Sequence, residues 1–359
     1  MINVAILGAT GAVGQRFIQL LENHPWFRVA EVAASERSSN KTYAEATRWI
    51  LNGSVPKSVA NLRVKSLDEP LESLIVFSAL PSDAAKEVEV RLAAAGHYVC
   101  SNASTYRMAN DVPILLPEIN AEHIRLIERQ KTERGWQGAL ITNSNCTAAP
   151  LVMALAPLLQ FKPTTLSVVS MQAVSGAGYP GVPSLDIMDN VIPYIGGEED
   201  KLKIEPAKML GRYSDGEIIP FDMTVSASCN RVPVLDSHLV AVSAHFAAKP
   251  ALEDILYAWE TFTAPDPVPS LPSAPIPPLV VMRENDRPQP RRDRDTGNGM
   301  AAVVGRLRPC EALDGVQFIA LGHNTIRGAA GCSILNAELL VAQGYLDGIT
   351  VAGAALAQA

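Results

Sequence analysis

The chain has 359 residues, 48% hydrophobic and 19% charged, with 24 glycines and a formal net charge of −7. At about 150 residues per domain this length predicts two domains, each with its own core, and the composition is that of an ordinary α/β protein. The acidic balance, with both signs interspersed, excludes a basic nucleic-acid face and a polybasic membrane contact, and leaves a small molecule as the expected partner.

Residues 4–7 read as a buried strand, and Gly8, Gly11 and Gly14 follow at once, leading into a helical pattern over residues 15–23. Strand, glycine turn and helix start in that order form a dinucleotide-binding opening, in which glycines let the backbone approach a pyrophosphate at a helix N-terminus. The spacing is GxxGxxG, not GxGxxG, with Thr10, Ala12 and Val13 completing the turn. A second strand over residues 29–34 ends in Ser35, Glu36, Arg37, Ser38 and Lys41, about 20 residues after the last glycine, where ribose selection is expected. Glu36 suits an unphosphorylated ribose diol. Arg37 with Ser35, Ser38 and Lys41 offers the charge and hydroxyls of a 2′-phosphate site and favours NADP.

A strand over residues 74–79, a helix over 82–95 and a strand over 98–101 continue the alternation of a parallel sheet, with Leu80 and Pro81 at a strand end beside the nucleotide path. Arg107 is the only strong anion ligand of the polar loop 101–107, and the local sequence alone favours a surface arginine. After an extended stretch 112–120 and a helix 121–134, residues 139–142 form a short strand that meets Ser144-Asn145-Cys146-Thr147, and helix-forming residues run on to 159. A thiol at that junction faces unsatisfied backbone N–H groups and the positive end of a helix dipole, which favour thiolate. A small buried core residue is the competing reading of the same local sequence.

The other cysteines, 100, 229, 310 and 332, read as structural. The five together match neither a disulfide framework nor a paired zinc spacing, so no metal site and a reducing cytoplasm are expected. The N-terminus reads as a strand rather than a signal peptide.

Beyond the cysteine, a β-branched run over residues 165–174 leads to a glycine-rich loop with Ser175, Gly176 and Gly178. Glu198, Glu199 and Asp200 open a helix to residue 210, where acidic first-turn residues ordinarily complement the dipole. Strand-like stretches 224–234 and 238–247 carry Arg231 and His238, whose spacing alone does not show convergence. A helix over residues 251–262 precedes a proline-rich stretch 264–278, read as an extended crossing or a subunit arm. Late strands over 300–307 and 317–321 and the run Asn324-Thr325-Ile326-Arg327-Gly328 lead into a last helix, 329–343, that returns to the first domain.

Taken together, Gly8 to Gly14, the Ser144–Thr147 core, Gln172 to Gly178, Glu198 to Lys201 and Arg231 to His238 resemble the aspartate-semialdehyde dehydrogenases over nearly the whole chain. The runs at Ser35, at Arg287-Pro288-Gln289-Pro290 and at Asn324 resemble the archaeal and fungal branch. The resemblance implies an α/β fold: a Rossmann-type NADP-binding domain, 1–145, rejoined by the C-terminal helix 329–359, and an α+β catalytic and oligomerisation domain, 146–328. The latter would carry a mixed sheet, as in glyceraldehyde-3-phosphate dehydrogenase, in a homodimer or homotetramer.

It also implies the NADPH-dependent reductive dephosphorylation of 4-phospho-L-aspartate to aspartate 4-semialdehyde, with Cys146 forming a thioester, His238 as acid–base catalyst and Gln172 orienting the acyl group. By the same resemblance Arg231 holds the substrate carboxylate, Glu198 its ammonium, and Arg107, Lys201 and Asn145 the phosphate. Glu198 is preferred over Glu199 for its place three residues before Lys201. Gly176, Gly178 and Asn324 would border the nicotinamide. Two rivals remain: a malonyl-CoA reductase with the same thioester chemistry, against which the ammonium ligand Glu198 argues, and a non-catalytic nucleotide-binding paralogue.

Overall fold

The computed structural model describes residues 1–346, so the expected rejoining segment 329–359 is described only as far as residue 346, its helix ending at Ala342, and the tail 347–359 lies outside the described residues. Seven parallel strands form the first sheet: β1 (Ile2–Leu7), β2 (Phe27–Ala33), β3 (Val64–Lys65), β4 (Ile75–Ser78), β5 (Tyr98–Ser101), β6 (Ile114–Leu115) and β7 (Ala139–Asn143), in the order β3-β2-β1-β4-β5-β7-β6. Strands β4, β5 and β7 are buried along their whole length, as expected of a parallel sheet covered on both faces.

The glycine turn sits between β1 and helix α1 (Ala12–Leu21). Gly8 has φ +68°, and a Cβ there would meet the Ala79 carbonyl at 2.7 Å; one at Gly14 would meet the Gly8 oxygen at 2.2 Å. The first glycine therefore makes the tight turn beside β4, and the last seats the helix on that turn. Helix α2 (Ser82–Ala94) follows β4.

After β7 comes the cysteine turn and helix α3 (Ala148–Leu155), which is buried on all sides and continues as a tighter 3₁₀ segment to Phe161. The second sheet is mixed, in the order β11-β8-β12-β15-β14-β13. Its strands are β8 (Pro163–Gln172), β11 (Thr224–Arg231), β12 (His238–Phe246), β13 (Leu279–Met282), β14 (Ala302–Cys310) and β15 (Gly315–Gly322). Between β8 and β11 lie helix α4 (Glu198–Met209) and a small hairpin, β9 (Arg212–Ser214) with β10 (Glu217–Ile219). Strand β13 and the hairpin were not legible in the sequence, β13 because it is short and directly follows Pro277 and Pro278.

The register of the mixed sheet places the site. Gln172 ends β8 and pairs in parallel with Arg231 at the end of β11, while β12 begins at His238 and runs back antiparallel along β8. Three side chains far apart in sequence thus leave one end of three adjacent strands. His238 is also opposite Gly322 of β15, where a Cβ would come within 3.0 Å of Pro150 in α3. The missing side chain lets the cysteine helix pack against the histidine strand.

The last helix, α5 (Gly331–Ala342), is buried throughout and shares an apolar cluster with Phe17, Phe27 and Ile75 of the first sheet's layer. Asn336 donates to Asn143 Oδ1 at 2.8 Å, and Glu338 accepts from His24 at 2.8 Å and from the Ser273 N–H at 3.0 Å, while Ser333 Oγ and Asn336 Oδ1 find no partner among the described residues. Just before it, Arg327 makes a bidentate pair with Glu118, at 2.9 and 2.7 Å, both side chains fully buried. Val268 and Leu271 of the proline-rich stretch join the same cluster, so that stretch is an intrachain crossing onto the first domain's core. The four cysteines read as structural are buried and unpaired.

Candidate active site

The turn before α3 spends its backbone donors in a definite way. Asn145 Oδ1 accepts the N–H groups of Thr147 and Ala148, at 2.8 and 3.1 Å, and the Asn145 carbonyl accepts that of Ala149. The Asn145 N–H itself donates to Glu205 Oε2 at 2.6 Å. Asn145 is thus the cap of the cysteine helix, and the Cys146 N–H takes no partner among the described residues. From the other side the chain at Gly328 presses close, since a Cβ there would fall 2.6 Å from Cys146 Cβ.

His238 Nε2 lies 3.2 Å from Cys146 Sγ, and its Nδ1 accepts the Ala173 N–H at 3.0 Å. That backbone donor assigns the neutral ring's proton to Nε2, the atom facing sulfur. Burial pushes the His238 imidazole well below its ordinary range, and Arg231 adds to the effect. Burial likewise pushes the Cys146 thiol up, helped by the Glu198 charge and opposed by Arg107, Arg231 and Lys201. Burial thus opposes the charged form of both groups, against the thiolate that the helix start favours.

The charged groups form a connected set. Glu198 is buried; Oε1 accepts from Lys201 at 2.7 Å and Oε2 from Asn145 Nδ2 at 2.7 Å and Gln172 Nε2 at 3.3 Å. Burial opposes its charge, yet these bonds, Lys201's foremost, hold its carboxyl below the usual range. Glu199 instead accepts the Cys229 N–H at 3.2 Å. Of the two acidic residues, Glu198 is the one turned into the site. Arg231 donates to the Ala173 carbonyl at 2.8 Å, and a Cβ on Gly176 would lie 2.7 Å from Arg231 Nη1 and 3.0 Å from His238 Cε1.

Cys146 lines a cleft of about 770 Å³, whose walls do not include Gln172, Glu198, Arg231 or His238. It runs from Ala12 and Val13 past Leu80 and Pro81 to Ser175, Gly176, Gly178 and Asn324, with Arg107, Asn145 and Lys201 in its walls. Asn324 bridges the two loops that frame it, accepting the Ser237 N–H and donating to Ser175 Oγ, both at 2.8 Å. Gly8, Thr10 and Gly11 lie in the turn before α1, and Ser35, Arg37 and Ser38 in an exposed turn after β2; none of these six forms the cleft's walls. Among the described residues no group of three His, Cys, Asp or Glu side chains is arranged to hold a metal ion, and no helix is long and apolar enough to cross a membrane.

Two family models match the chain: the semialdehyde dehydrogenase NAD binding domain over residues 3–127, and the semialdehyde dehydrogenase dimerisation domain over residues 155–327. The aspartate-semialdehyde dehydrogenase of Archaeoglobus fulgidus is 52% identical over 340 residues, covering 94% of this chain and 98% of the relative. The chain belongs to the aspartate-semialdehyde dehydrogenase family. Within that family the Schizosaccharomyces pombe enzyme is 44% identical over 354 residues, 96% of this chain and 99% of the relative. The crystal structure of the Candida albicans enzyme with NADP superposes with a TM-score of 0.88 at 41% identity, covering 96% of this chain and all of that one.

The geometry also holds residues that sequence reasoning missed. Glu205, Lys208 and Asn102 touch the groups predicted for the site, and Asn143 and Asn336 brace the strand that leads to it. Glu205 and Lys208 had a legible signal: they fall seven and ten residues after Glu198, on the same helical face.

Proposed function

We propose that Cys146, His238 and the charged groups around them carry out the family's reaction, the reversible NADPH-dependent reductive dephosphorylation of 4-phospho-L-aspartate to L-aspartate 4-semialdehyde. It is a step on the route to lysine, methionine, threonine and isoleucine. The observation that carries the reading is the 3.2 Å contact between Cys146 and His238, with Cys146 lining a cleft that also takes in Ala12 and Val13 after the glycine turn.

In this reading Arg231 pairs with the substrate carboxylate, Glu198 with its ammonium, and Arg107 and Lys201 with the phosphate; Asn145 adds its amide edge to that subsite while capping α3. The Cys146 sulfur attacks the acyl carbon, the C–O bond to phosphate breaks, and the thiol proton leaves on the departing phosphate. The Cys146 N–H is the free donor nearest the acyl oxygen, and Gln172, bonded to Glu198, orients the acyl chain.

The glycine turn, the closely seated α1 and the cleft's volume of about 770 Å³ fit a dinucleotide, with Ser35, Arg37 and Ser38 on the 2′-phosphate and Ser175, Gly176, Gly178 and Asn324 beside the nicotinamide. Bound NADPH supplies hydride to the thioester carbon. As that carbon is reduced, the His238 Nε2–H donates a hydrogen bond to the oxygen that takes on charge; when the C–S bond breaks, the carbonyl re-forms and the cysteine leaves as thiolate, which regains its proton from solvent.

We further assign residues 1–145 with the returning helix to cofactor binding and 146–328 to catalysis and assembly. The exposed apolar residues Leu185, Met188, Val191 and Tyr194 suit a second copy of the chain, as homodimer or homotetramer. The cytoplasm is the proposed location. A malonyl-CoA substrate has no ammonium for the buried Glu198, and no relative above carries that activity in its name. The test is an absorbance assay: NADP⁺ reduction should require both aspartate semialdehyde and phosphate. No signal with that pair, alongside NADPH oxidation with malonyl-CoA, would reverse the assignment.

A further inference from the structure

Helix α4 lays four ionisable residues along one face. Glu198, Lys201, Glu205 and Lys208 follow at steps of three, four and three, the spacing of neighbours on a helix surface. The first two belong to the substrate site; the other two are buried with no role in the chemistry. Lys208 Nζ donates to the carbonyls of Arg107, Ala109 and Val112, at 2.6, 2.7 and 2.7 Å, which pins the backbone that carries Arg107. Glu205 Oε1 takes Arg107 Nη1 at 3.0 Å, and its Oε2 takes the Asn145 N–H at 2.6 Å.

We propose that Glu205 is the positioning residue of the phosphate subsite, its two oxygens fixing the Arg107 guanidinium and the peptide before Cys146 in one rigid frame. The inference rests on the reading of Arg107 as a phosphate ligand. Arg107 is buried and held by two tethers, Nη1 to Glu205 and Nη2 to the Asn102 carbonyl at 2.8 Å, while its Nε finds no partner. Those tethers set the plane of the guanidinium, and a planar fork recognises phosphate through that plane. The same carboxylate holds the turn from which the sulfur attacks, so the phosphorus-bearing end and the nucleophile keep a fixed separation.

A different effect of Glu205 is conceivable on charge alone: its carboxylate offsets part of the Arg107 charge, and removing it would then tighten phosphate binding. The geometry favours positioning. A carboxylate presents two acceptors and no donor, whereas a glutamine at 205 has one oxygen for two N–H groups. Its NH₂ must face either Arg107 or the Asn145 N–H, donor against donor, and displace one of them.

The test compares Glu205→Gln, Arg107→Ala and the double variant in NADP⁺ reduction with aspartate semialdehyde at varied phosphate. Glu205→Gln should raise the KM for phosphate roughly tenfold or more, leaving the KM for aspartate semialdehyde and for NADP⁺ within about twofold. Arg107→Ala should raise the phosphate KM as well, and the double variant should be no worse than the worse single one, because the two act through one contact. A fall in the phosphate KM, an equal rise in all three KM values, or additive losses would overturn the proposal. If Arg107→Ala leaves the phosphate KM unchanged, the Arg107 reading fails and takes this one with it. A response to Arg107→Ala with none to Glu205→Gln refutes the positioning role alone. Should Glu205→Gln fail to fold, Glu205→Asp keeps both acceptors one methylene back and should give a smaller rise confined to phosphate; no rise would refute the role.

Discussion

His238 Nε2 and Cys146 Sγ stand 3.2 Å apart across 92 residues of sequence, and what brings them together is sheet register rather than any local motif. Gln172 and Arg231 end neighbouring parallel strands where His238 begins the antiparallel one, and Gly322 makes room for the helix that carries the cysteine. The Ala173 N–H then fixes which ring nitrogen carries the proton.

Gly176 fills the gap between Arg231 and His238. Its backbone is not in a glycine-only conformation, so Gly176→Ala should fold, but the added methyl would lie 2.7 Å from Arg231 Nη1, which the Ala173 carbonyl holds in place. A displaced carboxylate ligand should lower kcat/KM for aspartate semialdehyde by about tenfold or more, with an unchanged melting curve. Full activity in steady-state kinetics would mean that Arg231 has freedom the structure does not show.

Arg37 stands in the exposed turn after β2, the place proposed above for the 2′-phosphate. Arg37→Ala should weaken NADP⁺ binding by roughly tenfold and NAD⁺ binding by under about twofold, since only the former presents an anion to a guanidinium. Fluorescence titration with both cofactors measures this; equal losses would remove Arg37 from the selection of the phosphate.

Much of this was legible beforehand because it is local. The strand, glycine turn and helix at the N-terminus, the helix at Ser82 and the strand at Tyr98 carry their periods in the sequence, and the structure sets them where those periods place them. What escaped was either interrupted or non-local. Strand β13 is short and directly follows Pro277 and Pro278, and the Arg327–Glu118 and Asn336–Asn143 contacts join residues whose separation no period encodes. Glu198 was ambiguous for another reason: a first-turn acid serves the helix dipole equally well, and only burial against Asn145 and Gln172 distinguishes it from Glu199. For the thiol, the sequence displayed the dipole and not the burial that opposes it.

The Arg327–Glu118 pair ties the start of the returning helix to the first domain with no exposed surface on either side chain. Arg327→Met should cost about 3–5 kcal/mol of stability, because it strands a buried carboxylate, already pushed up by burial and held down chiefly by Arg327. Replacing both residues with apolar ones should recover much of that loss. Thermal or denaturant unfolding of the two variants decides it; a single variant as stable as the parent would show that Glu118 takes up its proton at little cost.

The central claim, a thioester on Cys146 that phosphate resolves, is tested most directly by mixing the enzyme with NADP⁺ and aspartate semialdehyde in the absence of phosphate. The mechanism predicts a burst of NADPH, one per active site, with an aspartyl adduct on Cys146 visible by intact and peptide mass spectrometry and discharged on adding phosphate. The Cys146→Ala variant should bind NADP⁺ and show neither burst nor adduct. A burst without an adduct, an adduct on another residue, or a burst that survives Cys146→Ala would contradict the account.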